Sequence, residues 1–354
     1  MGERTMRERI LAVIQGGRPD RAPFVQYSNL AAPNEEIWSE IGRENLGILQ
    51  WVRIYRLAHP NCGLHTEAIE RDGLKGHRIH IETPGGVMTE ERFLEPTFGT
   101  ASIVKHFVTE ASDYDALCAY LEDSVLVEDL AEFHRADNEL GDAGLPLVRV
   151  ERTPFQQLWI QWVGIQDLAL HLVDCPERVA RCVAAMLREA RQAFEIVART
   201  PVPFVNFPDN ITAPVIGEAN FLTYCIPLYR EFAQRLAGKD IPILVHMDGD
   251  LKPLWKAITT SGINGLDSLS PPPDNDTSVA DAVSLWPEKC VLVNFPSSVH
   301  LKSPKAIYDQ AGEILQQGAH TGRLQIQISE NMPPGVWRKS FPEIIRAIRD
   351  YGRI

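Results

Sequence analysis

The chain alternates between short apolar runs, typical of buried strands, and longer amphipathic stretches, typical of helices. In the second half, β-branched runs recur and are separated by helix-like segments of about 10–18 residues. The runs lie at residues 203–207, 241–247, 263–269, 290–295 and 324–329. Strands that alternate with helices in this way build βαβ units and a parallel sheet.

Three more strands complete the pattern. Residues 22–28 and 145–151 each predict a strand, and one further strand is expected within residues 46–60. About eight strands favour a closed barrel over an open doubly wound sheet, and no G-x-G-x-x-G fingerprint follows the first strand. We predict an α/β fold, a single distorted TIM-type (β/α)₈ barrel spanning residues 1–354, with an N-terminal helix and an inserted β-hairpin at 76–93.

Polar side chains end two of these predicted strands. The run IPILVHMDG (241–249) presents His246 and Asp248 at its end, and the run LQIQISE (324–330) ends on Glu330. The active-site loops of parallel barrels leave from the C-terminal ends of the strands. We therefore expect these three side chains to converge, as metal ligands or, for His246 and Asp248, as catalytic acid/base groups.

Other polar residues fall at the same predicted rim. Asp267 interrupts the strand next to that of His246, where it would fix the tautomer of the imidazole, and Asp209 is a further catalytic candidate. The candidates for substrate binding are Asn210, Asn294, Glu151 and Gln26. Each also has a structural interpretation, because Asn and Asp are ordinary turn formers and a glutamate can pair with a neighbouring arginine.

Charge and composition exclude several classes of partner. The net charge of −12 argues against nucleic acid, which requires a basic face. No apolar run reaches 18 residues, so we expect no membrane span, and the charged N-terminus lacks a signal peptide, which predicts a cytoplasmic protein. The six cysteines include no CxxC pair, and we predict reduced, mostly buried thiols at Cys62, Cys118, Cys175, Cys182, Cys225 and Cys290.

Segments spread over nearly the whole chain resemble the uroporphyrinogen decarboxylase superfamily. They are RERILAVIQGGRPDRAPF (7–24), ETPGG (82–86), HFVTEASDYDAL (106–117), DCPERV (174–179), FLTYCIPLY (221–229), NFP (294–296) and LKSPKAI (301–307). The resemblance implies a single-domain distorted barrel that often forms homodimers. It also implies one of two kinds of enzyme: cofactor-free porphyrinogen decarboxylases, or zinc methyltransferases that exchange methyl groups with corrinoid proteins, coenzyme M or related acceptors.

One departure from the family pattern argues against the porphyrinogen decarboxylases. Those enzymes carry an arginine- and glycine-rich loop after the first strand, which holds the substrate carboxylates. Here residues 26–36 (QYSNLAAPNEE) contain no arginine and two glutamates. A substrate with eight carboxylates requires cationic groups at that place, and Glu35 and Glu36 would repel it.

A second departure concerns the metal ligands of the methyltransferases. In the branch that uses coenzyme M, a His-x-Cys pair and a later cysteine hold zinc. His246 matches the histidine, whereas Asp248 and Glu330 stand about where the two cysteines fall. Oxygen ligands make zinc a harder Lewis acid, which suits an ether or amine leaving group. The resemblance thus implies a zinc-dependent demethylase that passes a methyl group from a small O- or N-methyl donor to a corrinoid protein, although Asp248 could equally support His246 without binding the metal.

Two alternatives stay open. A metal-free decarboxylase acting on a smaller acid would use Asp209 or Asp248 to stabilise a protonated ring, and Arg149 or Arg152 to hold the carboxylate. A non-catalytic barrel that binds a tetrapyrrole or a corrinoid would not bring the three predicted metal ligands within ligand distance of one another.

Overall fold

The strands of the protein are given by a computed structural model that describes residues 3–96 and 100–354. Numbered in chain order within those residues, they are β1 (Phe24–Tyr27), β2 (Gly47–Val52), β3 (Tyr55–Ala58), β4 (Gly63–Arg71), β5 (Leu74–Thr83), β6 (Gly86–Leu94), β7 (Ala101–Lys105), β8 (Val125–Glu128), β9 (Gly144–Arg149), β10 (Val205–Phe207), β11 (Ile243–His246), β12 (Gly265–Leu269), β13 (Cys290–Asn294) and β14 (Leu324–Ile328).

The α-helices of the same residues are also numbered in chain order. They are α1 (Met6–Ile14), α2 (Asn34–Ile41), α3 (Asp113–Glu122), α4 (Ala131–Leu140), α5 (Pro154–Gln157), α6 (Ile165–Asp174), α7 (Pro176–Arg199), α8 (Ala213–Asn220), α9 (Ile226–Arg235), α10 (Trp255–Thr259), α11 (Val279–Leu285), α12 (Pro304–Gly318) and α13 (Trp337–Tyr351). Single π-helical turns follow α5 and α8, at Leu158–Trp162 and Phe221–Cys225.

The elements form two compact units. The first comprises Met1–Ile54, Leu130–Val150 and Val197–Ile354, and the second comprises Tyr55–Asp129 and Glu151–Ile196. The assignment of residues 1–354 to one domain stays a prediction.

The first unit is a closed barrel of eight strands in the order β1-β14-β13-β12-β11-β10-β9-β2. Every neighbouring pair is parallel. The predicted (β/α)₈ fold is confirmed, and the strand expected within residues 46–60 is β2. Because a parallel barrel covers both faces of its sheet, its strands consist almost entirely of buried residues, which explains the continuous apolar runs in the sequence.

Helix α1 packs against the core of the barrel. Its buried residues Met6, Ile10, Val13 and Ile14 join a cluster of apolar side chains from the strands. The helix begins with a capping box at Thr5, which fixes where the chain turns into this position.

The second unit contains a four-stranded antiparallel sheet in the order β4-β5-β6-β7 and a two-stranded ribbon of β3 and β8. The hairpin predicted at residues 76–93 is β5 and β6, which pair antiparallel from Gly76–Phe93 to Thr83–Gly86. The inserted hairpin is therefore confirmed, and one additional strand flanks it on each side.

The prediction that all six cysteines are reduced is wrong. Cys118 in α3 and Cys182 in α7 form a disulfide, with their Cα atoms 5.0 Å apart. The packing of the two helices places the residues at bonding distance, and a separation of 64 residues leaves no local signal in the sequence. Cys175, Cys225 and Cys290 are reduced and buried, as predicted, and Cys62 is reduced and half-buried.

None of the helices in the described part of the chain combines the length and the apolar character needed to cross a bilayer.

Candidate metal centre

The candidate site lies at the C-terminal ends of β11 and β14. His246 is the last residue of β11, Asp248 follows two residues later, and Glu330 follows β14. The imidazole Nε2 lies 3.5 Å from Asp248 Oδ2 and 3.7 Å from Glu330 Oε1. One potential ligand atom from each of the three residues lies within 4.8 Å of the others. The convergence expected from the sequence is therefore present.

The spacing of these atoms fits a tetrahedral metal ion. Zn–N and Zn–O bonds of about 2.1 Å place tetrahedral ligands roughly 3.4 Å apart. The two distances from His246 Nε2 lie near that value. Three protein ligands also leave the fourth position open, which is the arrangement of catalytic zinc sites.

Asp267 contacts the other ring nitrogen of His246, Nδ1. His246 Nδ1 lies 3.3 Å from Asp267 Oδ2, and the Asp267 side chain is completely buried. A proton on Nδ1 donates to this carboxylate and leaves the Nε2 lone pair directed towards Asp248 and Glu330. The geometry matches the tautomer-fixing position predicted for Asp267.

Three further buried side chains donate to Asp267. The Tyr27 hydroxyl lies 2.6 Å from Oδ2, Asn206 Nδ2 lies 2.7 Å from Oδ2, and Gln327 Nε2 lies 2.7 Å from Oδ1. None of these three residues was predicted from the sequence as a site residue. The alternation of side chains along a strand could have indicated them, because alternate residues point to the same face. Tyr27, Asn206 and Gln327 lie on the inward-facing side of their strands, as His246 and Asp267 do on theirs.

Negative charge dominates this cluster. Within the described residues, no lysine or arginine forms an ion pair with Asp248, Asp267 or Glu330. Burial disfavours the charged imidazole, but the carboxyl groups of Asp248, Asp267 and Glu330 outweigh it and raise the pKa of His246 well above its usual value. For Asp248 and Asp267, burial opposes ionisation, yet contacts with the imidazole and with amide or hydroxyl donors lower the pKa of both carboxyl groups. A single imidazole facing three carboxylates suits a divalent cation.

Asn210 and Asp209 follow β10 at the same rim. Asn210 Nδ2 donates to Asp248 Oδ2 over 3.0 Å, so it supports a candidate ligand. Asp209 is fully buried and accepts a hydrogen bond from the Tyr229 hydroxyl. Burial and the adjacent carboxylate raise the pKa of Tyr229 well above its usual value, which keeps this hydroxyl protonated as a donor.

Asn294, at the end of β13, links neighbouring strand ends. Its amide donates to Ser270 Oγ over 3.2 Å, and its carbonyl oxygen accepts from the Ser329 backbone N–H over 3.1 Å. These contacts tie together the segments that carry Asp267 and Glu330.

Gln26 is not brought into the cluster. Gln26 points to the opposite side of β1 from Tyr27, and its amide donates to Asn34 Oδ1 over 2.9 Å. Glu151 belongs to the second unit and is half-buried there.

The segment expected to be a loop at residues 26–36 ends in helix α2. Glu35 and Glu36 occupy the first turn of α2, where they pair with Arg43 over 2.6 Å and with Arg338 over 2.8 Å. The two glutamates are therefore engaged with arginines on the surface of the barrel unit.

Fold and site together define a parallel (β/α)₈ barrel protein with a candidate metal centre at the C-terminal ends of its strands. The model of the uroporphyrinogen decarboxylase (URO-D) family matches residues 154–351, which is more than half of the chain. The chain belongs to the uroporphyrinogen decarboxylase family. No curated protein sequence matches it.

The chain also aligns with solved structures. A methyltransferase from Methanosarcina mazei aligns over 99% of both chains, with a TM-score of 0.58 and 11% sequence identity. A B12-independent methionine synthase from Shewanella sp. W3-18-1 in complex with selenomethionine aligns over 74% of both chains, with a TM-score of 0.42 and 11% identity. At these identities the likeness to the first structure concerns the fold alone.

Proposed function

We propose that this chain is a zinc-dependent methyltransferase of the demethylase type, which moves a methyl group from an O- or N-methyl substrate to a corrinoid protein. The observation that carries the proposal is the convergence of His246, Asp248 and Glu330 within 4.8 Å at the C-terminal ends of the barrel strands. This is the edge where parallel barrels place their chemistry.

The donor set fits zinc. His246 offers Nε2, because Nδ1 faces the buried Asp267 carboxylate, and the two other ligands are carboxylate oxygens. A bound zinc ion supplies Lewis-acid polarisation of the oxygen or nitrogen that carries the methyl group, which makes that heteroatom a better leaving group.

The protein residues orient this chemistry. The exposed fraction of the His246 side chain is 8%, whereas those of Asp248 and Glu330 are 22% and 39%. The imidazole is therefore reached from the side of the two carboxylates, and a substrate approaches from that side. Asn210 donates a hydrogen bond to Asp248 Oδ2, the oxygen that faces His246 Nε2, and so orients this oxygen for a ligand role.

The methyl acceptor is proposed from the family resemblance to the corrinoid-linked branch. A reduced corrinoid would supply the nucleophile for the methyl carbon, and the heteroatom would leave with the electron pair of the broken carbon–heteroatom bond. The contribution of the barrel to this step is positioning, so that the carbon–heteroatom bond lies in line with the attacking cobalt.

The competing hypotheses receive less support. A non-catalytic barrel gives no reason for three potential ligands to converge, yet they do so here. A metal-free decarboxylase would use Asp209 or Asp248. Asp209 is buried against the Tyr229 hydroxyl, and Asp248 is part of the candidate metal centre.

Metal content tests the proposal first. Protein purified without a histidine tag is expected to contain about one zinc per chain by elemental analysis, and His246→Ala and Glu330→Ala are expected to lose it. His320→Ala, at an exposed position before β14 and outside the candidate ligand set, is the matched control and should keep the metal. If the wild-type protein binds no zinc even after incubation with the ion, the mechanism is excluded and decarboxylation becomes the leading hypothesis.

Methyl transfer is tested with free cob(I)alamin as a surrogate acceptor. Aryl methyl ethers and methylamines are supplied separately, and the formation of methylcobalamin is followed by its absorbance. We expect methylation with one donor class, dependent on zinc and absent in His246→Ala. A zinc-loaded protein that methylates neither free cobalamin nor a purified corrinoid protein with any of these donors would contradict the demethylase assignment.

A further inference from the structure

Strand β12 is irregular beside the candidate metal centre. Its pairing with β13 shifts register between Leu266 and Leu269, so it contains a β-bulge at Asp267 and Ser268. Ser268 has a φ of 66°, in the left-handed region that residues with a Cβ rarely adopt. Bulges of this kind re-aim side chains and occur often next to active sites.

The bulge directs two consecutive side chains to the same partners. In a regular strand, neighbouring side chains point to opposite faces. Here the Tyr27 hydroxyl lies 2.6 Å from Asp267 Oδ2 and 3.2 Å from Ser268 Oγ. Gln327 Nε2 likewise lies 2.7 Å from Asp267 Oδ1 and 3.1 Å from Ser268 Oγ. Asp267 and Ser268 therefore both face the barrel interior.

We infer that this bulge is a positioning device for His246. The left-handed conformation of Ser268 lets Asp267 accept a hydrogen bond from His246 Nδ1–H, while Tyr27 and Gln327 hold both bulge residues in place. Ser268 and Gln327 are positioning residues that act on His246 through Asp267. Tyr27 is a positioning residue that also contacts the imidazole directly, because its hydroxyl lies 3.2 Å from His246 Nδ1. The inference rests on the proposed function for the role of His246 Nε2 as a ligand.

The contacts around Asp267 support this role. Both carboxylate oxygens are bound, Oδ1 by Gln327 and Oδ2 by Tyr27 and Asn206, in addition to the contact with His246 Nδ1. A carboxylate held on both oxygens has little freedom to rotate, so the imidazole that donates to it is fixed as well. Groups that orient a metal-bound histidine typically change metal affinity about 10–100-fold when they are removed.

Three variants separate the parts of the device. Asp267→Asn removes the charge that favours the proton on Nδ1 and keeps the shape of the side chain. Ser268→Gly keeps the left-handed backbone and loses the hydroxyl, whereas Ser268→Val loses the hydroxyl and also disfavours the backbone conformation, because a β-branched residue is strained at positive φ. Asp240→Val is the matched control, since Asp240 has a φ of 52° and lies in the turn before β11.

Two measurements are made on each variant. Zinc affinity is measured by competition with a chromophoric chelator. Nitrogen-15 NMR of the metal-free protein, recorded at a pH high enough to neutralise the His246 ring, identifies the nitrogen that carries the remaining proton. We expect Asp267→Asn to bind zinc about 10–100-fold more weakly and to shift the proton towards Nε2. Ser268→Val should weaken zinc binding at least tenfold, Ser268→Gly by no more than about threefold, and Asp240→Val not at all.

The outcomes distinguish this inference from the proposed function. The wild-type protein could bind no zinc and yet carry the proton of the neutral His246 ring on Nδ1, with Asp267→Asn moving that proton towards Nε2. This result would refute the proposed function and support the positioning device. A wild-type protein that binds zinc, with unchanged affinity and tautomer in Asp267→Asn, overturns the inference. If Ser268→Val does not fold, the comparison of Asp267→Asn with the wild type decides.

Discussion

Two histidines buried in the barrel unit have pKa values shifted in opposite directions because their neighbours differ. His246 faces three carboxyl groups, which raise its pKa despite burial. His300 packs on the ring of Phe295 and hydrogen-bonds the neutral Ser340 hydroxyl. Burial lowers the pKa of His300 from 6.5 to about 4; Asp274 opposes that shift weakly and Lys339 adds to it. The imidazole of His300 is therefore a neutral core group.

His300 makes the stability of the fold depend on pH. Between pH 4 and 6.5 the unfolded chain binds a proton at this residue that the folded chain does not bind, so the stability rises with pH. The free energy of unfolding therefore keeps this contribution in full above about pH 6.5. It falls by about 3 kcal/mol as the pH is lowered towards 4. The free energy of unfolding of His300→Gln, measured by urea titration across this range, should fall less steeply than that of the wild type.

The exposed His320 provides the control for this measurement. His320→Gln should follow the wild-type pH dependence. Parallel curves for the wild type and His300→Gln between pH 4 and 6.5 would show that His300 does not titrate as a buried neutral group.

At the scale of elements, helix α1 illustrates how a local signal fixes a tertiary contact. The Glu8 backbone N–H donates to Thr5 Oγ1 over 3.2 Å, and the Thr5 backbone N–H donates to Glu8 Oε2 over 2.8 Å. The helix then buries Met6 and Ile10 in the core cluster of the barrel. The cap thus sets the start of the element that packs against the strands.

Removing this cap should destabilise the barrel unit modestly. Thr5→Ala deletes the hydroxyl acceptor and is expected to lower the free energy of unfolding by about 1 kcal/mol. Thr5→Ser retains the acceptor and should stay close to the wild type. Thermal unfolding followed by circular dichroism compares the three proteins. An unchanged midpoint in Thr5→Ala would mean that packing alone positions α1.

The sequence predicted the barrel strands well and other elements less well, for identifiable reasons. Buried parallel strands are continuous apolar runs, so β11 and β14 and the residues that follow them, His246 and Glu330, could be located from the pattern alone. Helix α2 was missed because its segment is largely polar and begins after Pro33 without a side-chain cap. The β12 bulge was hidden because the register of a strand depends on its neighbours, which no single segment encodes.

At the scale of the whole molecule, one covalent link joins two distant segments of the chain. The second compact unit is assembled from Tyr55–Asp129 and Glu151–Ile196, and the disulfide between Cys118 and Cys182 connects them. The intervening Leu130–Val150 belongs to the barrel unit. The six scattered cysteines, which include no CxxC pair, predicted free thiols in a chain of this length.

Loss of this link should destabilise the protein measurably. The bond closes a loop between residues 64 positions apart, and in the chain-entropy model such a loop is worth about 4 kcal/mol. The double variant Cys118→Ser with Cys182→Ser is expected to unfold at a lower temperature, and Cys62→Ser, at a free cysteine, should not. Alkylation of the denatured wild type without reductant should modify four cysteines, and modification of all six would contradict the disulfide.

Metal binding at the rim of the barrel should stabilise the whole barrel unit by mass action. The three proposed ligands come from two separate strand ends, so the ligand set exists only in the folded chain. A ligand that binds the folded state alone stabilises it by about 2.7 kcal/mol at a free concentration of 100 times Kd. We therefore expect zinc to raise the midpoint of thermal unfolding of the metal-free wild type, and a chelator to reverse the change. Glu330→Gln, which preserves the size of a partly exposed side chain and removes its charge, should show a smaller shift, and His246→Ala none. An equal response to zinc in the wild type and in His246→Ala would place the binding outside this site.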